Sequence, residues 1–184
     1  MQTPDPAALA SWESFYVIVG SSSAALTGLM FVVISLMAER RHRDAVVAVD
    51  AFATPTVVHF CAAFLVSAVF SAPWRDAADA LLTVGVLGTV GVLYVLIVIR
   101  RTRLQQAYKP VLEDWVWHTV LPLLVYVSYV LAGLVLRGYP LTAEFMIAAG
   151  TLVLVFCGVH NSWDAVTYSA LRKTDRPSSP TPPT

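Results

Sequence analysis

The sequence predicts an all-α integral membrane protein: a bundle of five transmembrane helices, with the N-terminus outside and the C-terminus in the cytoplasm. Three observations carry that expectation. The 184 residues are 57% hydrophobic and only 13% charged, with zero formal net charge, whereas a soluble domain is roughly 45–50% apolar and about 25% charged. Five apolar runs each approach the ~20 residues needed to cross a hydrocarbon core about 30 Å thick. Seven of the twelve Lys and Arg residues fall in alternate connections between those runs, and three more follow the last run. The composition excludes a soluble globular enzyme and a disordered chain. Zero net charge and the lack of a binding motif leave no nucleic-acid partner. The partner is instead the lipid bilayer.

The spans are expected at about 15–38, 55–72, 77–99, 116–136 and 143–159, the last continuing as helix to about 168. Single apolar runs must be helices, because lipid offers backbone groups no partners. The alternating ten-residue pattern of a membrane barrel is absent. The spans sit within a single domain over 11–172, between a flexible tail at 1–10 and a disordered Pro/Ser/Thr-rich tail at 173–184.

In the first span, Gly20, Ala24 and Gly28 recur every four residues, a small-residue stripe suited to close helix approach. Ser21, Ser22, Ser23 and Thr27 surround it. The stripe predicts either tight packing or, in an oligomer, a polar pore lining. Between this span and the next, Asp44–Ala53 reads as a short interfacial helix. Thr54 and Pro55 are a helix-start pair for the second span, which is the shortest and ends before Pro73 and Trp74. Asp76 and Asp79 place acidic groups at the positive end of the third helix. That helix repeats the small-residue theme with Gly85 and Gly88 and has no ionisable residue between Asp79 and Arg100, so its role is structural. Pro110 precedes the fourth. Pro122 removes the donor that would bond the carbonyl of His118. Pro140 and Thr142 precede the fifth. Glu13 and Glu144 sit at helix N-termini, where the helix dipole accounts for them.

Arg40, Arg41 and Arg43 follow the first span, Arg100, Arg101, Arg103 and Lys109 the third, and Arg172, Lys173 and Arg176 the fifth. Positive charge marks the cytoplasmic side, which sets the orientation. Trp12, Tyr16, Trp74 and Tyr139 then mark the outer interface, and Tyr108, Trp115, Trp117 and Trp163 the inner one. The N-terminal region, which has no Lys or Arg, and the long first run do not resemble a cleavable signal. Short loops point to a bacterial inner membrane. Cys61 and Cys157 lie within spans and form no disulfide framework.

Ionisable groups inside a span cost some ~2.5–3.5 kcal/mol at its centre and are functional by default. With this orientation, His59, His118 and His160 share one layer near the cytoplasmic face. Cys157, His160 and Asp164 follow i, i+3, i+7 spacing on one helix face. Asn161, Tyr129 and Asp114 are supporting polar groups. The layer admits four readings. A divalent metal such as zinc takes His, Cys and carboxylate ligands. A b-type haem takes two axial histidines, here His59 and His160. A proton or ion relay exploits the near-neutral titration of histidine. The plain alternative is a hydrogen-bonded interfacial cluster in which Asp164 orients His160. The absence of a phosphate loop, a nucleophile elbow or any soluble domain argues against an enzyme. The leading expectation is an oligomeric channel- or transporter-like protein. A metal- or haem-binding redox protein and a non-catalytic accessory subunit are the alternatives.

Overall fold

The computed structural model describes residues 10–38, 54–104, 112–136 and 138–174. Among these, every regular element is a helix and none is a strand. Helix α1 is Glu13–Ala38, α2 is Thr54–Phe70 and α3 is Ala77–Leu104. Helix α4 is composite: Leu112–Trp115, a π-helical turn at Val116–Val120, then Leu121–Val135. Helix α5 is Pro140–Thr174. Helices α1, α3, α4 and α5 are long and apolar enough to cross a membrane, whereas α2 is a shorter apolar helix of 17 residues.

Several boundaries differ from the sequence expectation: α3 runs past 99 to Leu104 and α4 begins at Leu112 rather than 116. Helix α2 stops at Phe70, two residues early, in a turn where the Trp74 indole donates to the Val69 carbonyl at 2.6 Å. Helix α5 opens on Pro140 itself, the first-turn position where a missing N–H costs nothing. It also runs to Thr174, beyond the expected end near 168 and into the segment read as a tail. Its 35 residues rise about 52 Å, more than the ~40–45 Å of a bilayer with its headgroups. The start of α3 follows the sequence closely: Asp76 Oδ1 accepts the Ala78 N–H at 2.8 Å and caps the helix. The proposed interfacial helix at Asp44–Ala53, the basic residues Arg40, Arg41 and Arg43, and the extreme tails lie outside the described residues.

The helices do not pack in chain order. Helix α5 lies between α2 and α4, α1 flanks α2, and α3 flanks α4, while the consecutive α2 and α3 touch little. The Trp12 indole meets Glu144 at one end of the bundle, and Met30 meets Ser162 at the other, so α1 and α5 run in the same direction. Lipid supplies no hydrophobic force between helices, so small residues that permit close approach do the joining. A Cβ at Gly88 would come 2.8 Å from the Tyr126 carbonyl oxygen, and one at Gly85 3.4 Å from the Gly133 Cα. A Cβ at Gly91 would strike the Tyr126 ring, and one at Gly158 the Phe60 ring.

On α1 the contact face is rotated from the stripe read in the sequence. Gly20 does close on Ser67 of α2, with an added Cβ 2.8 Å from the Ser67 Cβ. Ala24, however, is exposed, and Gly28 has nothing within 4 Å. The buried face follows Tyr16, Val19, Gly20, Ser23 and Met30 instead. Tyr16 stacks on Phe70 of α2 at 4.3 Å and thereby sets the rotation.

Candidate functional site

The interior holds a file of polar side chains, each supplied by a helix whose buried stripe passes through the middle of the bundle. At one end Glu144, only 2% exposed, accepts a hydrogen bond from Trp12 Nε1 at 3.0 Å. The helix dipole therefore does not account for this carboxyl by itself. A buried acid needs a specific donor, and Trp12 supplies one from the turn just before α1. Tyr16 follows; its hydroxyl is buried without a hydrogen-bond partner and within electrostatic range of both Glu144 and Tyr129. Tyr129 Oη lies 2.9 Å from Thr151 Oγ1. Thr151 gives its one proton to the Ile147 carbonyl at 2.7 Å, so Tyr129 is the donor to Thr151. The Tyr129 ring meets that of Tyr126 edge-on at 6.2 Å. Tyr126 Oη in turn lies 3.1 Å from His59 Nδ1.

His59 is 1% exposed, and its Nε2 has no hydrogen-bond partner. His118 of α4 is within its electrostatic range. Asn161 of α5 is also 1% exposed, with neither amide atom bonded. Unpaired polar atoms in a packed interior cost free energy, and in native proteins they mark a functional group or an ordered water. From Glu144 to Asn161, α5 rises about 25 Å, most of a hydrocarbon core about 30 Å thick.

The π-helical turn shapes the other end of the file. Pro122 has no N–H to offer the carbonyl of His118, and the backbone widens just before it: the Leu121 N–H bonds the Val116 carbonyl, five residues back. Trp117, in this turn, stacks on the His160 imidazole at 3.9 Å and 23°. His160 Nε2 is 3.1 Å from Asp164 Oδ2 and 3.9 Å from Glu113 Oε1.

The residues singled out in the sequence thus divide into two groups. His59, His118, Tyr129, Asn161 and Cys157 belong to the interior or its edge. Cys157 is fully buried, within electrostatic range of Tyr126, while His160 and Asp164 turn toward α4. An i, i+3 pair lies about 60° apart around a helix, enough to separate the thiol from the imidazole. Among the described residues, no three His, Cys, Asp or Glu side chains gather closely enough to hold a metal ion. Phe60, adjacent to His59, packs directly on Gly158, so α2 and α5 close on each other at this level. The metal and haem readings draw no support from this geometry. The Asp114 side chain lies outside the described residues. Sequence reasoning missed Tyr16, Tyr126, Glu144 and Thr151. Two spacings signal them: Pro122, Tyr126 and Tyr129 share one face of α4, and Glu144 and Thr151 stand seven apart on α5.

No protein family, no curated protein and no solved structure matches this chain. The site stands on its own geometry.

Proposed function

We propose that this is an integral membrane protein of the transport class, a proton relay that works through the buried file rather than through a metal or haem layer. The observation that carries the reading is the His59–Tyr126 pair. An imidazole almost wholly buried in an apolar helix is bonded to a phenol on one nitrogen and unpartnered on the other. Imidazole takes a proton on one nitrogen and gives one from the other, so it moves charge without moving itself. Close glycine contacts fill the interior, and the bonded pairs Tyr129–Thr151 and Tyr126–His59 pass protons, with water bridging the gaps, where a larger solute finds no passage. Glu144 and Tyr16 serve as acceptor and link at one end, Tyr129 and Thr151 as the middle, and His59 as the gate to the other end.

The distribution of Lys and Arg supports placing the N-terminus outside and the C-terminus in the cytoplasm of a bacterial inner membrane. The aromatic side chains agree: Trp12, Phe15 and Phe145 cluster at one end, and Trp115 and the exposed Trp163 lie at the other. A second reading, assembly as a homo-oligomer or subunit of a larger membrane complex, is favoured by the exposed Ser21, Ala24 and Gly28 on α1.

The test is proton flux into liposomes that carry an entrapped pH dye and an imposed membrane potential. Wild-type protein should acidify them faster than empty liposomes. His59→Ala and Tyr126→Phe should each lower the flux by about a hundredfold, the low end of what a positioned acid–base group contributes. Wild-type flux no greater than that of empty liposomes, from protein that retains its helicity, overturns the relay.

A further inference from the structure

We propose that Glu113, His160 and Asp164 form the proton-collecting mouth of the file, joined to His59 by the π-helical turn of α4 and by water held on Asn161. The inference rests on the relay reading and adds to it where protons are gathered.

The cluster is partly open: the side chains of His160, Asp164 and Glu113 are 25%, 47% and 69% exposed. Two carboxylates beside one imidazole raise the local proton concentration, and such focusing increases capture rates. The groups facing His160 come from two helices: Asp164 from its own, and Glu113 and Trp117 from α4. Arg103 of α3 lies 5.9 Å from the Trp115 ring centroid.

Two routes lead inward from this cluster. Trp117, which holds the His160 ring, is followed by His118, which is within electrostatic range of His59. Asn161 directly follows His160 and faces the interior one turn beyond Gly158, whose contact is Phe60, the neighbour of His59. The unbonded carboxamide of Asn161 lies on α5 one turn past the Gly158–Phe60 contact, and the unbonded Nε2 of His59 belongs to the residue that precedes Phe60 on α2. A buried water needs two to four polar partners; the Asn161 carboxamide and the His59 Nε2 are the unsatisfied candidates at this end of the file. The carboxamide itself takes no proton; it positions the water that hands one to His59.

The experiment measures liposome flux at high pH and low buffer concentration, where proton delivery limits the rate. A Glu113→Gln/Asp164→Asn variant and, separately, His160→Gln should lose about tenfold, the low end of what charge focusing adds to capture. Added imidazole, a mobile proton carrier, should restore both, because the file beyond the mouth is intact. It should not restore His59→Ala. Unchanged flux in the mouth variants, or a loss that imidazole leaves in place, overturns the mouth while the relay stands. An inactive wild type overturns both.

Discussion

Helices α3 and α5 look alike as strings of apolar residues, and both are long enough to cross a membrane. They occupy opposite situations. Half of the most apolar stretch of α5 is buried in the protein, against 22% for α3. The buried stripe of α5 carries Glu144, Thr151 and Asn161, while α3 buries only apolar and small residues, among them Ala80, Leu81, Val84, Gly88 and Val95. Position explains the contrast. Helix α5 packs against both α2 and α4, so polar groups on it find partners or line the file. Helix α3 touches chiefly α4 and turns Val86, Val90 and Leu93 outward, where lipid would leave a polar group unsatisfied. One helix carries the buried polar groups. The other is a wall whose glycines let the tyrosines of α4 lie close.

The comparison breaks most readily at the wall. Gly88→Ala would place a methyl group 2.8 Å from the Tyr126 carbonyl and 2.9 Å from the Val130 nitrogen, backbone atoms that cannot step aside. Thermal unfolding in detergent should show a loss of about 1–3 kcal/mol, the range for overpacking. Flux should fall with it, because α4 must move away from α3. A stable variant would mean that the wall does not position the file.

A stability effect of similar size, but one that a conservative variant reverses, is expected at the central helix. Glu144→Ala leaves the Trp12 indole N–H without its acceptor, at a cost of about 1–3 kcal/mol for a buried unsatisfied group. Glu144→Gln keeps an acceptor and should recover most of that stability. It should still depress proton flux, since an amide does not exchange a proton as a carboxyl does. Equal flux in the Gln variant and wild type would remove Glu144 from the relay and leave it a structural role.

The smallest effect is expected on the outer face of α1. Gly28→Ala fills open space and replaces the residue that costs a helix interior about 1 kcal/mol relative to Ala. Stability should stay level or rise slightly in a monomeric preparation. Destabilisation in native-like bilayers, together with loss of a cross-linked dimer, would show that a second chain covers this face.

Much of the fold was legible in the sequence because lipid imposes simple rules. Span length, proline and acidic residues at helix starts, and continuous hydrophobicity located all five helices; the boundaries that shifted most lie near Phe70, Leu104, Leu112, Pro140 and Thr174. The candidate site was legible only in part. His59, Tyr129 and Asn161 stand out as polar groups in apolar runs. Glu144 did not, because its place at a helix N-terminus already had an electrostatic explanation. Tyr16 and Tyr126 did not, because a tyrosine reads as an interfacial or core residue until its hydroxyl is given a neighbour. The stripe of Gly20, Ala24 and Gly28 was visible, but spacing alone could not say that only Gly20 meets another helix.

What the amino-acid sequence determined by itself is the number of helices, their approximate ends and the presence of costly polar groups within them. These follow from local quantities: hydropathy summed along a run, and backbone donors supplied or withheld by particular residues. Only the tertiary structure decided that α5 lies between α2 and α4, that His59 faces Tyr126 while His160 turns to Trp117, and that Glu144 is covered by Trp12. Those outcomes depend on the rotation of each helix about its own axis. That rotation is set by which glycine admits which neighbouring side chain, a relation between residues far apart in the chain.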